Sequence, residues 1–222
     1  MIISDQMKAL LTYLAKAEGV LIHRLDGEKD ITSMYGIYRY QNPKANIFKK
    51  IDSIALELGI KIPSSSWTKK ELDLINDHIQ NSKNLVNELF LLVVEFYEDY
   101  YSSIKLNLFH EDCVVSIASM FANSRRLSIK AVQYAVNTMN LNGFVELNKN
   151  LLEDGKLGDK TLKALESCLY ACKTGKNVGL LFESYMLLGM SAEYSILIKG
   201  DSRYLRFSTG WDNRLKKLQQ SR

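Results

Sequence analysis

Cysteine is scarce in this sequence of 222 residues, with Cys113, Cys168 and Cys172 as its three examples. An odd number at this spacing excludes a disulfide framework. Cys168 and Cys172 lie four residues apart on a predicted helix face, but the three histidines lack the spacing of metal ligands that would complete a site with them. We therefore expect three buried free thiols, no metal site and no cofactor.

Long blocks of like charge and long apolar runs are also absent. The 29 Lys and Arg residues exceed the 25 Asp and Glu residues by a formal net charge of +4, and no five or six like charges follow one another. This pattern argues against a nucleic-acid-binding arm, and the basic residues are scattered, so we expect no nucleic-acid partner. The longest apolar run, residues 89–94, is too short to span a bilayer, so we expect no membrane insertion.

Targeting and nucleotide-binding signatures are missing as well. The N-terminus has no basic region, no long apolar core and no small-residue cleavage site, so we expect synthesis in the cytoplasm without a signal peptide. No serine elbow, P-loop or dinucleotide-binding glycine pattern occurs. These absences leave the acidic side chains as the main candidates for chemistry.

The sequence does contain a succession of helical periodicities. Apolar residues recur at helical spacing in residues 5–18, and Gly19 follows as a C-terminal cap. Thr68 and Glu71 form a capping box before a long pattern that breaks near Ser82. The chain is therefore predicted to be mostly α. Further helices are predicted at residues 46–58, 110–121, 129–139, 159–172 and 180–197, with a last short one from Gly210.

The helical period is lost between residues 20 and 40. Residues 20–22 and 31–38 are predicted to pair as a small β-hairpin near the N-terminus, with Asp26 and Gly27 at its turn. A charged surface loop is the alternative that the composition of this segment also allows.

Glu18 is the candidate acid, because it ends the first predicted helix between apolar neighbours. Apolar surroundings favour the protonated form of a carboxyl group. Asp26 and Asp30 follow on the polar segment, where we expect them to be ionised, and Thr32 is placed to hold a water molecule opposite the acid. An acid and a water-positioning partner in different environments are what hydrolysis of a glycosidic bond requires.

At these residues the chain resembles glycoside hydrolase family 108, the lysozyme-like N-acetylmuramidases of phage endolysins and of bacterial secretion or toxin-release systems. The pattern of that family is roughly Glu-Gly-Gly, then Asp, Gly-Gly, Thr and Gly-Ile. Here Glu18-Gly19 matches the start, Thr32 lies 14 residues after Glu18, and Gly36-Ile37 matches the close. The chain departs from the pattern at Val20, where a second glycine is usual, and in the missing Gly-Gly pair before Thr32.

The second half of the chain extends the resemblance. Residues 120–124, followed by 131–133, resemble the entry to the peptidoglycan domain of that family. Residues 155–162 resemble its Asp-Gly-x-x-Gly-x-x-Thr-Leu loop, and residues 204–214 resemble its closing Gly-Trp-x-Asn-Arg.

The resemblance implies a lysozyme-like fold with the small hairpin and a helical C-terminal half. Residues 1–105 would form the catalytic part and residues 106–222 a peptidoglycan-domain-like part, or the two would make one continuous unit. It also implies an enzyme that hydrolyses the β-1,4 bond between N-acetylmuramic acid and N-acetylglucosamine in peptidoglycan strands. Such an enzyme would act in the periplasm or cell wall after delivery by phage-type lysis, a secretion machine or phage-tail proteins.

The same resemblance assigns roles to individual residues. Glu18 would be the general acid, Asp26 or Asp30 the second carboxylate, and Thr32 the residue that positions water. Asp26 is preferred because a turn can aim it back at the helix end. Aromatic side chains and an amide complete the expected sugar groove, although core packing is the commoner role of an aromatic residue. The candidate substrate-binding residues are Tyr35, Tyr38, Asn123 and Trp211.

Two readings without catalysis stay open. The chain would be a cell-wall-binding component of a secretion or phage-tail assembly if it kept the fold and lost turnover. It would be an all-helical protein-interaction module if it did not bind the wall at all.

Overall fold

The computed structural model describes residues 3–24 and 28–200. Those residues contain eight α-helices and no β-strand, so the predicted mostly α class is confirmed. The chain divides into two compact units, Leu11–Ser103 and the described residues of Met1–Leu10 with Ile104–Arg222. The assignment of a catalytic part to 1–105 and a peptidoglycan-domain-like part to 106–222 stays a prediction.

The unit Leu11–Ser103 is built around one long helix. Both the second and the third helix pack against the fourth, because each carries an apolar stripe at helical spacing. In the second helix this stripe is Ile47, Ile51 and Ile54, all fully buried. The helices of this unit are the later part of α1 (Asp5–Glu18), α2 (Asn46–Glu57), α3 (Lys69–Gln80) and α4 (Lys83–Tyr101).

Local signals set the ends of α3 and α4 as predicted. The Thr68 side chain accepts a hydrogen bond from the backbone N–H of Glu71 at 3.3 Å, and the Glu71 carboxylate accepts one from the Thr68 N–H at 2.7 Å. The capping box is therefore formed. Ser82 caps α4 through the N–H of Leu85, which explains the break in the long helical pattern.

The predicted hairpin is not formed by the described residues. Two isolated antiparallel bridges, His23 with Thr32 and Thr32 with Tyr38, stand where two strands were expected. His23 and Thr32 exchange both of their backbone hydrogen bonds, so the backbone groups of the adjacent Ile22 point away from Thr32. The Asn76 side chain bonds to both of those groups. The Ile22 N–H donates to Asn76 Oδ1 at 2.9 Å, and Asn76 Nδ2 donates to the Ile22 carbonyl at 2.8 Å. The expected turn at Asp26 and Gly27 lies outside the described residues.

The second unit is a bundle in which the last described helix is central. This helix packs against the three that precede it in the chain, and no side of it is consistently polar. At Gly189 an added Cβ would lie 3.1 Å from Ala131 Cα, so the absent side chain permits two helices to approach closely. The helices of this unit are the start of α1, α5 (Glu111–Asn123), α6 (Arg125–Leu141), α7 (Asp159–Thr174) and α8 (Val178–Gly200).

One side chain organises the glycine-containing loop before α7. The Gln133 amide donates to Asp154 Oδ1 and to the Lys156 carbonyl, both at 3.0 Å, and it accepts from the Gly155 N–H at 2.9 Å. Gln133 is 1% exposed, so these bonds also satisfy a buried amide. The loop is therefore held from the middle of α6.

The three cysteines are buried and free, as expected. No helix in the described part of the chain combines the length and the apolar composition needed to cross a membrane.

Candidate functional site

Glu18 is the last residue of α1 and its side chain is exposed. Gly19 follows in a left-handed conformation with φ of +83°, and its N–H donates to the Ala15 carbonyl at 3.2 Å. The predicted C-terminal glycine cap is therefore present. The apolar enclosure expected from the following residue is not, because Val20 is 49% exposed.

The Glu18 side chain packs directly against Gly36. A Cβ atom added to Gly36 would lie 2.7 Å from Glu18 Cγ, which is closer than real carbon atoms approach, and a tight 3.2 Å from Glu18 Cδ. Gly36 also has φ of +80°, a conformation that only glycine adopts without strain. Gly36 therefore has a local reason: its positive φ suits glycine, and a side chain at this position would displace that of Glu18.

The turn that carries Gly36 is tied to two helices of the same unit. Tyr35 has φ of +62°, and its N–H donates to the carbonyl of Gly19, the residue after Glu18, at 2.8 Å. The Tyr97 hydroxyl of α4 donates to the Tyr35 carbonyl at 2.6 Å. The strained Tyr35 backbone is therefore held from both sides, which fixes the surface on which Glu18 rests.

Tyr97 remains a hydrogen-bond donor at neutral pH. Burial is the main cause that raises its pKa, and the neighbouring Tyr101 and the Glu18 carboxylate raise the pKa further. The protonated hydroxyl therefore keeps its bond to the Tyr35 carbonyl.

Thr32 is held in the loop by both isolated bridges and is 5% exposed. Its hydroxyl donates to the Glu28 carboxylate, with Oγ1 at 3.2 Å from Oε1 and 3.4 Å from Oε2. Because the single hydroxyl proton is used in this contact, Thr32 can contact a water molecule only as an acceptor. The sequence interpretation missed Glu28. Its position four residues before Thr32 was the signal that could have identified it.

Asp30 does not lie free on an open loop, which corrects the expectation for this residue. Its Oδ1 accepts from the Ser64 hydroxyl at 2.6 Å and from the Ile31 N–H at 2.8 Å. Its Oδ2 lies 3.9 Å from Arg39 Nε, and Arg39 in turn binds Asp52 through two bonds of 2.6 Å. Asp30 therefore serves as an acceptor that joins the loop to its surroundings.

The candidate sugar-binding residues are distributed over both units. Tyr35 and Tyr38 are partly exposed in the loop near Glu18, where the Tyr38 hydroxyl accepts from the Lys29 N–H at 2.9 Å. Asn123 is the last residue of α5, in the other unit. Asp26 and Trp211 lie outside the described residues.

Comparison with known proteins adds no assignment, since no family model, curated protein or solved structure matches this chain. The similarity to glycoside hydrolase family 108 stays a prediction from the residues. The structural observations that bear on function are the exposed Glu18 on its glycine turn and the Glu28–Thr32 pair.

Proposed function

We propose that this protein is a peptidoglycan hydrolase that cleaves the β-1,4 bond between N-acetylmuramic acid and N-acetylglucosamine, with Glu18 as the general acid. The observation that carries the proposal is the packing of Glu18 on Gly36. A general acid must reach a polymeric substrate and must be held in one place. Glu18 is exposed, and the turn beneath it is tied to Gly19 and to Tyr97.

In this reaction Glu18 donates its proton to the glycosidic oxygen while the bond from that oxygen to the sugar breaks. Water adds to the sugar carbon, and the proton that the water loses passes to a second carboxylate. Glu28 is the described candidate for that carboxylate, because it accepts a hydrogen bond from Thr32, the residue proposed to position the water. Asp26 keeps the role that the sequence resemblance implies. The wall would be reached through a secretion machine or a phage-type lysis system.

The test is the release of soluble muropeptides from purified sacculi by the wild-type protein and by Glu18→Gln. We expect the variant to lose about a hundredfold or more of the rate, since general acid catalysis contributes roughly 10²–10⁴-fold. Glu57→Gln is the matched control, because Glu57 is the exposed last residue of α2 and stands two positions before Gly59. Equal rates for Glu18→Gln and the wild type would remove Glu18 from the mechanism.

One observation favours a second candidate, a wall-binding component without turnover. The exposed Val20 leaves Glu18 without the apolar enclosure that favours a protonated acid. A protein of this kind would sediment with sacculi. It would release no muropeptides at any pH between about 4 and 8, the range in which a carboxyl group of ordinary or raised pKa changes its charge.

A further inference from the structure

A second concave surface lies in the unit that contains α6 and α7, and it is separate from the residues around Glu18. Its volume is about 730 Å³. The turn after α6 contributes Phe144, Val145 and Glu146, and the outer face of α7 contributes Glu166 and Tyr170. We call this surface the α6–α7 groove.

The groove combines buried aliphatic side chains with exposed aromatic rings. Val145 and Val178 are 9% and 8% exposed, whereas Phe144 is 40% and Tyr170 is 72% exposed. Gly143 turns the chain with φ of +74°, and the Phe144 N–H donates to the Met139 carbonyl at 3.0 Å, so the turn that presents Phe144 is itself hydrogen-bonded to α6.

Glu146 and Glu166 are the charged residues of this lining, which has no basic residue. Within the described part of the chain, neither carboxylate has a hydrogen bond or an ion pair.

Two of the three hydroxyl groups in the lining, those of Ser167 and Thr174, are oriented as acceptors. The Ser167 hydroxyl donates to the Lys163 carbonyl at 3.4 Å, and the Thr174 hydroxyl donates to the Tyr170 carbonyl at 3.0 Å. Each hydroxyl proton is used within α7, so both present lone pairs outward. Apart from the Tyr170 hydroxyl, which can also donate, the polar side chains of the lining offer acceptors, so a ligand that donates hydrogen bonds matches them.

We propose that the α6–α7 groove binds an alkylammonium group, such as the end of a lysine side chain or a small aliphatic amine. An ammonium group donates three hydrogen bonds and accepts none. Glu146 and Glu166 supply its counter-charge, and the faces of Tyr170 and Phe144 attract a cation through their quadrupoles. The two valines contact the alkyl stem. This site is independent of the chemistry proposed for Glu18.

The test uses two model compounds that differ in charge at the side-chain end, N-acetyl-lysine methylamide and N-acetyl-norleucine methylamide. Each is titrated into the full-length protein while NMR follows the methyl signals of Val145 and Val178. We expect saturable shifts with the lysine compound that weaken as NaCl is added, because salt screens exposed charges. The norleucine compound should bind at least fivefold more weakly.

Variants locate the contact. Glu166→Gln and Glu146→Gln should each weaken binding of the lysine compound severalfold, and Tyr170→Ala by about fivefold, the size of an exposed cation–π contact. Glu111→Gln removes the same charge from the exposed first turn of α5, outside the groove, and should bind like the wild type. Glu18→Gln should also bind like the wild type, whatever its effect on sacculi.

Three results would overturn the proposal. Equal binding of the two compounds would make the groove a merely apolar surface. Equivalent methyl shifts with chitobiose would make it a neutral sugar site. Absence of shifts with the lysine compound at low salt would leave the groove without the proposed ligand.

Discussion

At the scale of single residues, the structure gives different partners to two carboxylates of the same loop, Asp30 and Glu28. Asp30 and Glu28 lie two positions apart, yet Asp30 bonds to Ser64 and the backbone while Glu28 bonds to Thr32. The difference depends on Ser64, which is 34 positions from Asp30 along the chain. A local pattern carries no information about such a contact, so the sequence placed Asp30 on an open loop and missed its bond to Ser64.

The two carboxylates should respond differently to neutralisation. Glu28→Gln should lower muropeptide release by tenfold or more, because Glu28 is the proposed second carboxylate. The melting temperature of this variant should change little. Asp30→Asn should lower stability by about 1–2 kcal/mol, since it weakens acceptor bonds in a partly buried network. Thermal unfolding and sacculus hydrolysis of both variants measure the two effects.

A melting temperature that falls as much for Glu28→Gln as for Asp30→Asn would contradict this division. A full rate of hydrolysis in Glu28→Gln would transfer the role to another carboxylate, with Asp26 the first to examine.

At the scale of elements, the ends of several helices could be predicted from the local sequence, whereas the conformation of the loop after α1 could not. The caps at Gly19 and Thr68 depend on neighbours within a few positions and are as predicted, and the break expected near Ser82 is where Ser82 caps α4. The predicted hairpin is reduced to two isolated bridges in the described residues, and the outward-facing backbone groups of Ile22 bond to Asn76, 54 positions away along the chain. The contact of Glu18 with Gly36 likewise required the structure, although the glycine itself stood in the sequence.

The turn of Tyr35 and Gly36 is the element that positions Glu18, and two glycines test this. Gly36→Ala and Gly59→Ala both place a side chain at positive φ, of +80° and +73°. Each should cost about 1–2 kcal/mol of stability from that conformation alone. Only at Gly36 does the new Cβ meet Glu18, whereas at Gly59 nothing lies within 4 Å. Muropeptide release should therefore fall in Gly36→Ala and persist in Gly59→Ala.

A Gly59→Ala variant as inactive as Gly36→Ala would show that general destabilisation, not displacement of Glu18, reduces the rate. Tyr97→Phe supplies an independent check, because it removes the 2.6 Å bond to the Tyr35 carbonyl without adding an atom near the acid.

At the scale of the whole molecule, the buried thiols report on the folded state. Burial raises the pKa of Cys168 to about 12 and that of Cys172 to about 11, and it raises the pKa of Cys113 well above the ordinary value of 9.0. The folded protein therefore holds these thiols in the protonated, unreactive form.

We expect no thiol to react with an aromatic disulfide reagent at pH 8 in the native protein, and all three to react in denaturant. The sign of the pH dependence follows from the raised pKa. Below pH 9.0 the thiols are protonated in both states, and their contribution to stability is fully present. As the pH rises from 9.0 towards 11, the unfolded thiols ionise first, so the free energy of unfolding should fall. Urea unfolding at pH 8 and pH 10 measures the change, and fast labelling of the native protein would contradict the burial.

The hydrogen bonds between Asn76 and Ile22 also affect how one molecule meets another. An extended segment with unpaired N–H and C=O groups is a template on which a neighbouring chain can add a strand. At Ile22 both groups are already occupied by an amide from α3, so this position is closed to such addition. Asn76 thus protects this position against self-association. Its loss would leave the Ile22 backbone groups unpaired, and they could then pair with another chain beside the segment that holds the candidate catalytic residues.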